Sequence, residues 1–158
     1  MADDSISATR TIDAPAEVVF EILADPAMHA AIDGTGRVRE ALDVPPLSAT
    51  GQIFRITMFH ENHPDGEYEM ANRVQLFDPP RTISWEPGYD TGDRSLRFEG
   101  WIWRYDLEPA GAARTGVTLS YDWSAVSTSV REHIGFPPFP RSHLDDSLAH
   151  LANLAQGL

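Results

Sequence analysis

Arg141-Ser142-His143-Leu144-Asp145-Asp146-Ser147-Leu148-Ala149-His150-Leu151-Ala152-Asn153-Leu154-Ala155-Gln156 decides how this chain folds. Leu144, Leu148, Leu151 and Ala155 recur at the three- and four-residue spacing of one helical face, with Leu154 beside them. Asp145 and Asp146 fall early in the segment, where the positive end of the helix dipole favours negative charge. The spacing predicts an amphipathic helix over Arg141–Gln156. It is the longest such element in the chain, and its apolar stripe needs a broad surface to cover.

That surface lies upstream. From Gly36 to Ser124, runs rich in Val, Ile, Thr and aromatic residues alternate with turn clusters. The runs are Arg37–Val44, Gln52–Phe59, Glu67–Phe77, Thr82–Glu86, Ser95–Leu107 and Gly116–Ser124. The breaks hold Pro45-Pro46, Pro64-Asp65-Gly66, Asp78-Pro79-Pro80, Gly88 with Gly92, and Pro109 with Gly111. Turns this frequent suit antiparallel strands, since parallel neighbours need long crossovers. Further out, Ile6–Ile12 reads as one more strand. Ala14-Pro15-Ala16-Glu17 opens a helix carrying Val19, Phe20, Ile22 and Leu23. Asp25-Pro26 ends that helix and opens a second one with Met28, Ala31 and Ile32, which stops at Gly34. Gly135-Phe136-Pro137-Pro138-Phe139-Pro140 reads as a loop, after a short helical turn at Ser129–Ile134. The sum is an α+β domain: a seven-stranded antiparallel sheet, two short helices after the first strand and the long C-terminal helix.

Composition narrows the chemistry. The 158 residues include 24 Asp+Glu, 12 Lys+Arg, six His and no Cys. The arginines alone account for the 12 basic residues, so the chain has no lysine. Schiff-base chemistry, thiol nucleophiles, disulfides and zinc–thiolate sites are excluded. A formal net charge of −12 argues against nucleic acid and against an anionic membrane surface as partners. Length points to a single domain over residues 1–158. The acidic start, Met1-Ala2-Asp3-Asp4-Ser5, does not read as a secretory signal, and a cytoplasmic protein is expected.

The element order resembles the START-like (SRPBCC) superfamily. The resemblance is carried by Arg10-Thr11-Ile12-Asp13-Ala14-Pro15-Ala16-Glu17-Val18-Val19-Phe20, by Leu23-Ala24-Asp25-Pro26, by Asn72-Arg73-Val74, and by Phe77-Asp78-Pro79-Pro80-Arg81-Thr82-Ile83-Ser84-Trp85. It extends over Ser5–Leu154 and is strongest toward the polyketide cyclase/dehydrase-like group. It implies a helix-grip fold, in which a curved sheet wraps the long helix and a cavity lies between them. The superfamily holds lipid carriers, hormone- and allergen-type binders, aromatases and chaperone activators, so function must be argued from the site. The fold is also compatible with a homodimer.

Alternation assigns the lining. In the last two long runs Trp101, Trp103, Tyr105, Val117, Leu119, Tyr121 and Trp123 form the more apolar set and are expected to face inward. By the same rule Phe54, Ile56, Met58, Met70, Asn72, Val74, Ile83 and Trp85 point in, opposite Leu144, Leu148 and Leu151 of the helix. Such a set either fills a core or lines a small-molecule pocket with a few polar handles. The handles are Asn72, Arg97, Glu99, Tyr105 and Tyr121, with His143 at the cavity mouth beside Phe136 and Phe139. Arg97 and Glu99 form either the polar end of the pocket or a surface ion pair worth little. His60-Glu61-Asn62-His63 lacks the i, i+4 spacing of a zinc helix, so no metal is expected. No cofactor is expected either. His29 and His133 carry no signal of their own, and no catalytic residue is assigned.

Three functions follow as expectations. The first is binding of a small hydrophobic or amphipathic molecule, lipid- or polyketide-like. The second is a cyclase or aromatase of the same fold. The third is a protein-interaction module, a chaperone activator or toxin–antitoxin component, which requires a filled cavity and a contiguous apolar patch outside.

Overall fold

The structure is a computed structural model that describes residues 4–32, 38–41, 47–59, 67–90, 96–133 and 142–157. Strand β1 (Ser5–Ile12) leads into helix α1 (Ala16–Leu23), then a 3-10 turn (Pro26–Met28) running into α2 (His29–Ile32). Strands follow: β2 (Val38–Ala41), β3 (Ile53–Phe59), β4 (Glu67–Asp78), β5 (Thr82–Asp90), β6 (Leu96–Phe98), β7 (Ile102–Pro109) and β8 (Thr115–Asp122). Helices α3 (Thr128–His133) and α4 (Ser142–Ala155) complete the fold. No described helix is long and apolar enough to cross a membrane.

The sheet runs β1-β8-β7-β5-β4-β3-β2, antiparallel throughout. These are the seven expected strands, and β6 is an addition that, among the described residues, pairs with β5 alone. The single run expected over Ser95–Leu107 is therefore two strands. Gly100 breaks it with φ +105°, and a Cβ there would lie 2.9 Å from the Ala125 carbonyl. Only glycine accommodates both that backbone angle and that approach. β5 is also longer than expected. Its first half pairs with β7 over Thr82–Trp85 and its last residues pair with β6 over Gly88–Asp90. Pro87 falls in the interval where neither pairs, so its missing N–H costs no ladder bond on that side.

Pro15 caps α1 in extended conformation rather than occupying its first turn, and its carbonyl accepts from the Val18 and Val19 N–H groups. Ala16, Val19, Phe20 and Leu23 form the buried face. The Thr115 hydroxyl donates to the Ala14 carbonyl at 2.7 Å and fixes the β1–α1 corner to the start of β8. α4 packs on β1, β8, α1 and α2, burying Leu144, Leu148 and Leu151 completely or nearly so. The helix-grip arrangement expected from the resemblance is thus the fold observed. A register shift between Val74 and Leu76 bends β4 and keeps Val74 inside while Leu76 turns out.

Candidate functional site

Cross-strand register builds the inner wall in rows. Val74, Trp85, Trp103, Tyr121 and Ile6 stand directly opposite one another across β4, β5, β7, β8 and β1. The next row is Ile83, Tyr105, Leu119 and Ala8. Below it come Leu107 and Val117. Trp103, Tyr105, Val117, Leu119 and Tyr121 share this face as expected, and Leu107 joins them, because one strand parity carries across each paired neighbour.

On β5 and β7 the two upper rows differ in cover, while Val74 and Tyr121, which flank the tryptophans, are buried. Ile83 is 0% exposed, Leu119 1% and Tyr105 5% under the helices. Trp85 and Trp103 are only partly buried, as is Trp101. Trp103 lies 4.6 Å from Tyr121, ring centre to ring centre, and Trp85 lies 5.9 Å from Tyr105. Burial pushes the Tyr121 hydroxyl well above the usual phenol range, so it stays protonated as a donor.

Two histidines bracket the tryptophan pair. His143, at the start of α4, is buried with its ring edge-on to Trp103 at 5.5 Å. His29 opens α2, is 7% exposed, and stacks on Trp85 at 5.0 Å with an interplanar angle of 17°. Phe54 meets His29 edge-on at 5.5 Å. The His29 Nε2–H donates to the Leu23 carbonyl at 2.8 Å, since a carbonyl can only accept. Burial lowers the His29 pKa, against the raising effects of that bond and of Asp25. A lone histidine on a four-residue helix gives no periodic signal, so sequence reasoning passed over this residue.

One end of the wall is polar. Tyr89 and Arg97 are cross-strand partners on β5 and β6, and alternation puts Tyr89 on the Trp85 face. Glu99 accepts from the Tyr89 hydroxyl at 2.6 Å and from Arg97 Nε at 2.6 Å, both on Oε1. The Glu99 side chain is 12% exposed, but that of Arg97 is 62% exposed. Of the two expected arrangements, the polar end of a pocket or a surface ion pair, Arg97 shows features of the second: it reaches solvent and leaves Glu99 as the sheltered member. The hydrogen bond to Glu99, with a smaller share from burial, holds the Tyr89 hydroxyl above its ordinary range. Tyr89 lies beyond the expected end of its strand, which is why it was missed.

Of the remaining expected lining, Phe54, Ile56 and Asn72 are buried and Met70 is partly buried. The Met58 side chain lies outside the described residues, as do the His60–Gly66 turn and the Phe136–Pro140 loop. Leu144, Leu148 and Leu151 face the core from α4. His150 separates from His143 in role: its Nδ1–H donates to the Ile32 carbonyl at 3.2 Å and ties α4 to α2.

No family model matches the chain. It is similar to an uncharacterized protein, Rv0088, of Mycobacterium tuberculosis H37Rv, with 28% identity over 153 residues that cover 94% of this chain and 62% of the relative. The same identity and coverage hold for the uncharacterized protein MT0096 of strain CDC 1551. The chain thus spans 62% of the length of these curated relatives. Among solved structures, Ms6760 from Mycobacterium smegmatis superposes with a TM-score of 0.69 at 16% identity, over 98% of this chain and 92% of that one. A protein from Arthrobacter aurescens gives 0.68 at 16% identity, over 98% and 87%. A protein from Staphylococcus epidermidis gives 0.67 at 15% identity, over 100% and 93%. At these identities the likeness shows a shared fold.

Proposed function

We propose that the protein binds a small hydrophobic or amphipathic molecule, lipid- or polyketide-like, between the sheet and the C-terminal helix, in the manner of the START-like superfamily. The observation that carries this reading is the incomplete cover of Trp85 and Trp103. They sit on the inner face in direct cross-strand register, yet they remain partly accessible while Ile83 and Tyr105, one row along the same strands, are buried. Apolar faces left open on an inner wall gain free energy when a ligand covers them, about 25 cal/mol per Å². Glu99, Tyr89 and Arg97 supply polar contacts at one margin. In this reading the protein works in the cytoplasm, and a homodimer is not required.

The interaction-module reading has less support. Among the described residues, the exposed large apolar side chains Val18, Ile53 and Leu76 sit on α1, β3 and β4 rather than on one element. The cyclase reading gains some support from the contact cluster of Trp85 with His29 and Tyr105, which brings a base and a phenol to one indole. Native mass spectrometry of protein purified without denaturation tests the proposal. A co-purifying apolar mass that is lost in Trp103→Ala supports it, and an identical spectrum for both proteins counts against it.

A further inference from the structure

Among the described groups on the inner wall, His29 has the most defined chemistry and no part in the binding reading so far. Its Nε2–H is committed to the Leu23 carbonyl at 2.8 Å, so the neutral ring carries its lone pair on Nδ1. That lone pair lies in the plane of the ring. The ring plane runs nearly parallel to the Trp85 indole, at 17°, so the lone pair is directed along the indole and not into it. Trp85 is in turn partly accessible and stands opposite Trp103.

We propose that His29 Nδ1 is the hydrogen-bond acceptor for the ligand, which is a flat apolar molecule carrying a hydroxyl or N–H donor and lying along Trp85 and Trp103. This rests on the binding reading above and adds the chemistry the site selects. A molecule of the same shape without the donor leaves Nδ1 with no ligand proton to accept in a dry surrounding, which penalises it. Recognition also acquires a pH dependence, because a protonated His29 has no acceptor. The described groups facing His29 are the Leu23 carbonyl from α1, Asp25 from the turn before α2, Phe54 from β3 and Trp85 from β5. His150 of α4 stands beside Ile32 on the same short helix. The Leu23 carbonyl and, to a smaller extent, Asp25 favour the charged ring, and burial outweighs both.

The test compares 2-naphthol with 2-methoxynaphthalene, which share a bicyclic body and differ in the donor. Binding is read by tryptophan fluorescence in wild type and in His29→Phe, a change that keeps an aromatic ring against Trp85. In wild type at pH 7.5 the naphthol is expected to bind about tenfold more tightly, the worth of one well-placed hydrogen bond. The preference should collapse to about unity in His29→Phe. In wild type it should also collapse on acidification, at a pH displaced below the ordinary histidine value of about 6.5 because burial lowers the His29 pKa, with circular dichroism showing the fold intact. Should His29→Phe fail to fold, the wild-type pH profile decides alone. Equal binding of the two probes in wild type overturns the acceptor role and leaves the pocket standing, as does a preference that survives both the variant and acid. Binding of neither probe overturns the pocket, and the acceptor role with it.

Discussion

The two ends of the inner wall are built from the same strands and differ in what covers them. At the sealed end, Ile83, Tyr105, Leu119, Leu107 and Val117 meet α1 and α4, and Leu144, Leu148 and Leu151 close the gap. At the tryptophan end, Trp85, Trp101 and Trp103 keep accessible surface, and the polar trio of Tyr89, Arg97 and Glu99 stands at the margin. A shift of one row along β5 and β7 changes the surroundings from core to wall. The sealed end supplies stability, and the tryptophan end is free to supply function.

The sharpest way to break this division is a pair of truncations. Leu148→Ala should cost about 2–5 kcal/mol, the range for emptying a fully buried leucine site. Chemical denaturation measures it, and probe affinity in the folded fraction should be unchanged. Trp103→Ala should cost clearly less stability while abolishing probe binding. If the two variants lose stability alike and Trp103→Ala binds normally, the two ends are one core.

Gly100→Ala comes next. The left-handed backbone and the 2.9 Å approach to Ala125 together predict a loss of about 1–3 kcal/mol. The loss should appear as a lower thermal midpoint, with faster hydrogen exchange in β6 than in β8. Uniform exchange across the sheet would mean that Gly100 does not join the polar trio to the wall.

A smaller effect concerns pH. The folded pKa of His29 is depressed by burial, so its contribution to stability is complete above about 6.5 and falls as pH drops below that value. Denaturation midpoints measured from pH 7.5 downward should fall, and His29→Phe should flatten part of that slope. An unchanged slope would place His29 outside the aromatic stack.

The smallest effect belongs to Arg97→Gln. With the guanidinium largely in solvent, stability should change by less than about 1 kcal/mol. Glu99→Gln should change probe affinity more than Arg97→Gln does, since Glu99 is the sheltered member. The reverse order, measured by the same titration, would make Arg97 the ligand contact.

Strand parity made most of the wall readable in advance. Trp103, Tyr105, Val117, Leu119 and Tyr121 fall on one face because β7 and β8 pair without a register shift. The leucine stripe of α4 was readable for a similar reason, since 3.6-residue spacing survives any tertiary context. What stayed hidden depends on contacts distant in sequence. Gly100 breaks its run because Ala125 lies against it, and no local propensity reports that. Pro87 reads as a strand end, yet β5 continues because Pro87 pairs with Asn72 of β4 and falls between the β7 and β6 pairings on its other edge. That continuation delivers Tyr89 to Glu99. His29 enters the wall only because the turn after α1 folds back over β5.

The central claim is that Trp85 and Trp103 line a site and do not merely fill a core. The most direct measurement follows the indole N–H signals of the four tryptophans by two-dimensional NMR during titration with 2-naphthol. Saturable shifts are expected at Trp85 and Trp103, with Trp123, buried against Val126, left in place. Four unmoved signals up to the solubility limit of the probe, or four that move together, would contradict that claim.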